Sequence, residues 1–217
     1  MNHELRIEFW GDYACFTRPE MKIERVSYEI MTPSAARNML QAIFWHPGFN
    51  YVIDEIDIMN PIRMTNIRRN EMGAKITTSA SLAKAKNGEP MNLSPKENIQ
   101  QRASLILKDV RYLVHFHLTM TKDAHENDNI IKFTEMLKRR ASKGQCFTQP
   151  YLGCREFAAG FRLMGEEETP VPYPETKDLG FMLYDMDYTN KERITPQFFH
   201  AKLDRGRMDV RGAEVYK

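Results

Sequence analysis

Residues 42–49 read AIFWHPGF and set Phe44, Trp45 and His46 side by side ahead of Pro47. An imidazole can move protons at neutral pH, whereas neighbouring aromatic rings either plug a core or stack on a planar partner. The octet by itself leaves both uses open. A second candidate is the trio Arg111, His115 and His117, which alternation places on one face of a strand. Two histidines at i, i+2 suit a metal, a solvated sheet face or a nucleic-acid contact. No carboxylate or cysteine completes a metal set nearby in sequence, so nucleic acid is favoured over metal. Two cationic runs complete the inventory: RMTNIRRN with Arg63, Arg68 and Arg69, and KRRASK with Arg139, Arg140 and Lys143. Clustered cations attract polyphosphate backbones, although a helix end also tolerates them as solvated charge.

The elements that must position these residues are legible as period and punctuation. LRIEFWG alternates as a strand with Leu5, Ile7 and Phe9 on one face, and RVSYEIM reads as a second short extended segment. TPSAARNMLQAIFW begins a helix with Thr32 as N-cap and Pro33 at its first position. Its stripe is Ala36, Met39, Leu40 and Ile43, and Pro47-Gly48 stops it. YVIDEIDIM (51–59) is a strand. Residues 70–98, with Gly73, Gly88, Pro90 and Pro95, read as a long excursion, hairpin or loop. DVRYLVHFHL (109–118) is the clearest strand, with Val110, Tyr112, Val114, Phe116 and Leu118 inward. NDNIIKFTEMLKRRA (127–141) is a helix with Ile130, Phe133 and Leu137 inward and Lys132, Glu135 and Arg139 outward. PYLGCREFAAGFRL returns to strand-like chain, residues 166–176 form an acidic, proline-rich linker, and LGFMLYDMDY with RITPQFFHAKL forms a small antiparallel unit. The order predicts an α+β, ferredoxin-like (RRM-like) βαββαβ domain over residues 1–165 with a long inserted excursion, followed by a small C-terminal β unit over 166–217.

The chain has 217 residues and a net charge of only +2, unevenly spread. Residues 1–165 hold 23 Lys/Arg against 18 Asp/Glu, and residues 166–217 hold 8 against 11. The larger unit is therefore the one expected to meet a polyanion. No apolar run reaches the roughly 18–20 residues of a membrane span, and the N-terminus lacks a signal-peptide pattern. Cys15, Cys146 and Cys154 are an odd number without metal-ligand spacing, which fits reduced structural thiols in a cytoplasmic protein. P-loop, dinucleotide, C-x-x-C, H-E-x-x-H and G-x-S-x-G signatures are missing, which disfavours the corresponding chemistries and a small-molecule cofactor enzyme.

Four segments, WGDYACFTRPEMKIERVSYEIMTPSAARNMLQAIFWHP, QRASLILKDVRYLVHFHL, KRRASKGQCFTQPYLGCREF and DLGFMLYDMDY, together resemble the Cas-five family of type I-C CRISPR systems. The likeness runs from the first strand to about residue 187. It implies a ferredoxin-like domain with a small C-terminal sheet, and an endoribonuclease that cuts precursor CRISPR RNA within the repeat without metal or cofactor. It also implies that the protein stays on the 5′ tag of the mature CRISPR RNA as a subunit of the effector complex, with double-stranded DNA as an additional candidate partner and no membrane. The alternative is an RNA-binding structural subunit of that complex with weak or lost cleavage.

The implied reaction is attack of a 2′-hydroxyl on the adjacent phosphate. It requires a proton acceptor, a cation for the developing charge and a donor for the leaving oxygen. The family assigns these roles to a Tyr at the end of the first helix and a Lys-His pair at the start of the second. On this chain those positions are Phe44, Lys132 and Phe133. Phenylalanine transfers no proton, so only Lys132 matches. His46 is the first replacement candidate, with Tyr28 and His125 behind it. The expected catalytic set is therefore Lys132 and His46. The expected RNA contacts are Arg63, Arg68, Arg69, Arg111, His117, Arg139, Arg140 and Lys143.

Overall fold

The structure is a computed structural model that describes residues 4–74, 77–88, 94–190 and 192–217. Strand β1 (Leu5–Ala14) buries Leu5, Ile7 and Phe9, as its alternation predicts. Helix α1 (Pro33–Ile43) starts where the Thr32 hydroxyl accepts from the Ala35 amide at 3.2 Å, and it buries Ala36, Met39, Leu40 and Ile43. It stops because Phe44 swings into extended backbone while its N–H still donates to the Leu40 carbonyl. Strand β2 (Phe49–Ile58) follows, then β3 (Met64–Met72) and helices α2 (Thr78–Lys86) and α3 (Pro95–Asn98). The reading of residues 70–98 as hairpin or loop thus gains two helices; Pro90 lies outside the described residues.

Strand β4 (Ile99–Met120) is far longer than the 109–118 expected. Residues 99–107 pair with β3 as an arm, and residues 107–120 run between β1 and β2 inside the main sheet. The start of the arm, with Gln100, Gln101 and Arg102, is polar and mostly exposed, and only from Ser104 onward does burial set in. At the junction Asp109 adopts a left-handed φ of 53°, held by the Asn60 amide donating to its carbonyl at 2.9 Å. Helix α4 (Ile130–Ser142) is N-capped by Asn129, whose side chain accepts from the Lys132 amide at 2.8 Å, and it buries Phe133 and Leu137.

The segment expected to be strand-like at 150–163 forms only β5 (Gly160–Leu163). Its first part is a tight turn joined by a Tyr151–Ala158 bridge. Gly153 sits there at a φ of +83°, where a Cβ would lie 2.1 Å from the Cys15 carbonyl oxygen. Strands β6 (Lys177–Asp187) and β7 (Thr195–Leu203) pair as the antiparallel unit expected, and β8 (Arg207–Asp209) adds to the edge of β2. The main sheet order is β5-β1-β4-β2-β8, antiparallel throughout, with β3 on the arm of β4. Helices α1 and α4 pack on its apolar face, and β6 packs on α1. Leu179, Met182, Phe199 and Leu203 share one buried cluster with Phe9 and Leu40. Among the described residues no helix is long and apolar enough to cross a membrane.

Candidate active site

Phe44 and Phe133 are core side chains, 5% and 1% exposed, with ring centroids 6.4 Å apart and Phe49 packed between their elements. They fill the floor beneath His46. The His46 ring lies 4.8 Å from Phe133 and is half-buried, and its Nδ1 accepts the Gly48 amide at 3.0 Å. The exposed ring of His125 stands edge-on to it at 6.5 Å. Asp128 closes the group: its Oδ1 accepts from Lys132 Nζ at 3.0 Å and its Oδ2 from the His125 amide at 3.1 Å. The Lys132 bond chiefly, helped by the His125 amide and the Lys132 charge, holds the Asp128 carboxyl below its ordinary range. The fold therefore brings His46, His125 and Lys132 to one edge, at the α4 N-terminus. Two imidazoles and an ammonium there offer proton-transfer and charge-stabilising groups.

Beside this edge runs an open groove of about 500 Å³ lined by Phe44, Trp45, Arg140, Phe147 and Tyr151. Phe147 is 80% exposed and Trp45 59% exposed. The loop bearing Phe147 is docked: the Phe147 and Thr148 amides donate to the Ala42 carbonyl at 2.9 and 3.0 Å, satisfying the end of α1. The Arg140 guanidinium lies over Phe44, 5.2 Å from the ring centroid. Next to it, Arg139, Arg140 and Lys143 line a basic recess at the end of α4. Exposed rings interleaved with guanidinium groups suit unpaired bases and their phosphates. Phe147 and Tyr151 escaped sequence reasoning because nothing local to QCFTQPY shows that its loop folds against α1.

The remaining expected contacts are dispersed. Arg68 is exposed on β3, and Arg63 is exposed with a 3.5 Å pairing to Asp109. Arg69 is tied to Glu156, Glu71 and Ser104. Arg111 grips Glu8 through Nε and Nη2 at 2.6 and 3.0 Å, and Arg162 holds the same carboxylate at 2.7 Å. Burial pushes Glu8 up, but both arginines outweigh it and hold the carboxyl below its usual range. His117 Nδ1 lies 2.8 Å from Asp54. His115, 7% exposed, touches Glu4 at 2.7 Å and Asp57 at 3.1 Å. Carboxylates absent from the histidines' sequence neighbourhood thus arrive from β2 and the start of β1. Glu55, Asp57 and His115 could together ligate a cation, but Arg207 sits on both carboxylates, at 2.9 and 3.1 Å, and Arg211 on Glu55 at 3.2 Å. This sheet face is a lattice of internal ion pairs.

A protein of Mannheimia succiniciproducens named CRISPR pre-crRNA endoribonuclease Cas5d is 47% identical over 218 residues, covering 97% of this chain and 96% of that protein. A Thermus thermophilus protein of the same name is 37% identical over 231 residues, covering 98% and 93%. A solved structure described as a CRISPR-associated protein superposes with a TM-score of 0.72 at 21% identity over 100% of this chain and 97% of that one, a likeness of fold. Residues 4–211 match the family profile described as CRISPR-associated protein (Cas_Cas5). The chain belongs to the Cas5d family of CRISPR-associated proteins.

Proposed function

We propose that this chain is a CRISPR precursor-RNA endoribonuclease that cuts within the repeat and stays on the 5′ tag of its product as a subunit of the type I-C effector complex in the cytoplasm. One observation carries the activity: 47% identity, along nearly the whole chain, to a protein named for it. The geometry is compatible, since Lys132 and His46 meet at one edge beside an aromatic, basic groove. In the reaction, the 2′-oxygen attacks phosphorus and the 5′-oxygen departs, leaving a 2′,3′-cyclic phosphate. Lys132, paired to Asp128 but half-exposed, is free to swing its ammonium onto the phosphate. Arg139, Arg140 and Lys143 hold the backbone, with Arg63 and Arg68 as a second contact on the arm. Arg69, Arg111 and His117 contribute from within their ion pairs.

The strand order β5-β1-β4-β2 with both helices on one face supports the ferredoxin-like assignment for residues 1–165, with residues 166–217 as the C-terminal β unit. The activity test is incubation of the purified protein with its own repeat RNA in EDTA. A second reading is favoured by one observation: Phe44 and Phe133 are buried core residues where the family pattern puts a Tyr and a His. On that reading the chain binds repeat RNA but cuts it weakly or not at all.

A further inference from the structure

We propose that His125 is the proton acceptor of this site, and that His46 acts as a neutral hydrogen-bond donor; the assignment rests on the endoribonuclease reading above. His46 is fixed on three sides. Its ring lies on Phe133, its Nδ1 takes the Gly48 amide at 3.0 Å, and Gly48 is itself boxed in. A Cβ there would come within 3.0 Å of that Nδ1, 3.2 Å of Ala124 Cα and 3.2 Å of Phe133 Cζ. A neutral imidazole that accepts at Nδ1 carries its hydrogen on Nε2. Toward a substrate it presents an N–H and no lone pair. Such a ring stabilises developing negative charge but takes no proton, the role an imidazole plays wherever a backbone N–H fixes its tautomer in this way.

His125 is the complement. Its backbone is pinned at both ends to Asp128, amide to Oδ2 at 3.1 Å and carbonyl to the Asp128 amide at 2.9 Å. Its ring is exposed, and its nitrogens have no hydrogen-bond partner among the described residues. The two ring centroids are 6.5 Å apart, close enough for both rings to reach oxygens of one phosphodiester lying across this edge. Asp128 bonds Lys132 Nζ as well, so one carboxylate sets the positions of both His125 and the ammonium. The titratable groups around His125 are Asp128 and Lys132 from the turn and helix, with His46 opposite and Asp123 and Glu126 as chain neighbours.

The step balances. The 2′-hydroxyl proton passes to His125 as the O2′–P bond forms. His46 Nε2–H and Lys132 hold the non-bridging oxygens. The P–O5′ bond breaks, O5′ takes a proton from water, and the His125 imidazolium neutralises the hydroxide left behind.

The test is single-turnover cleavage of repeat RNA across pH by the parent, His125→Gln and His46→Ala, with repeat affinity measured for each as the fold control. The parent rate is expected to rise with pH along a one-proton limb. His125→Gln should lose that limb and about 10²–10⁴ in rate at unchanged affinity. His46→Ala should lose about 10²–10³ but keep the limb. A limb that survives His125→Gln, or one that disappears in His46→Ala, overturns the assignment while leaving the endoribonuclease reading intact. A parent that leaves its repeat uncut at every pH overturns both.

Discussion

His46 stacks on Phe133 with ring centroids 4.8 Å apart, so the imidazole nearest the site rests on the position where the family pattern has a histidine. The core thereby uses Phe133 as a platform. On the proposed assignment, proton chemistry moves outward by one layer, to rings that solvent and substrate can reach.

Restoring the family pattern should separate rate from stability. Phe44→Tyr with Phe133→His places two polar groups where the rings are 5% and 1% exposed. An unsatisfied buried polar group costs about 1–3 kcal/mol, so the melting temperature should fall. Single-turnover cleavage should nonetheless rise, because a proton-transfer group is worth about 10²–10⁴ in rate. A destabilised variant with no gain in rate would show that the outer rings already saturate the chemistry.

Lys132→Ala should slow cleavage by about 10²–10³ through missing charge stabilisation, with a small drop in affinity from one absent cation. Lys132→Arg should recover part of the rate, since its charge persists while its reach to Asp128 changes. Equal effects in both variants would argue that Lys132 serves only to hold the α4 N-terminus.

Binding should depend more on the α4 recess than on the arm. Reversing Arg139, Arg140 and Lys143 should flatten log Kd against log salt by about 0.7 for each phosphate of a single strand that is no longer neutralised. Reversing Arg63, Arg68 and Arg69 should act less, because Arg69 is already paired to Glu156 and Glu71. Phe147→Ala should weaken binding by about 1–3 kcal/mol without altering the salt slope, as removal of a stacking ring does. Unchanged slopes for both basic clusters would remove them from the interface.

The buried sheet network predicts a pH-dependent stability. Burial opposes the His115 imidazolium, but the hydrogen bonds it donates to Asp57 and Glu4 outweigh it and hold His115 above the ordinary histidine range. The folded state thus binds that proton more tightly than the unfolded chain. The stabilisation is full below the unfolded value of about 6.5 and fades as pH rises through the folded one. Glu55, raised by burial and then by Asp57, acts in the same sense at lower pH. His115→Gln should cost about 1–3 kcal/mol at mildly acidic pH and flatten the decline toward alkaline pH in a denaturant titration. A variant with the parent's pH slope would place the proton elsewhere.

The elements that carry the apolar face were readable from local pattern. Thr32, Pro33 and the stripe ending at Ile43 specify α1 almost to the residue, and the 109–118 alternation specifies the sheet half of β4. The start of the arm was hidden because Gln100, Gln101 and Arg102 interrupt any apolar alternation there. What joins the site was not readable for a different reason. His46 and His125 are 79 positions apart and meet only because β2 and β4 bring the two loops together above Phe133. The Glu8–Arg111 and Asp57–His115 pairs likewise arise from strand order and register.

The most direct measurement is a denaturing gel of the purified protein with its own repeat RNA, in EDTA and in Mg²⁺, with end-group analysis of the upstream fragment. The expected result is one cut in the repeat, equal rates under both conditions, and a 2′,3′-cyclic phosphate. Cleavage that stops in EDTA and returns with Mg²⁺, or intact RNA bound tightly under both conditions, would contradict the proposed chemistry.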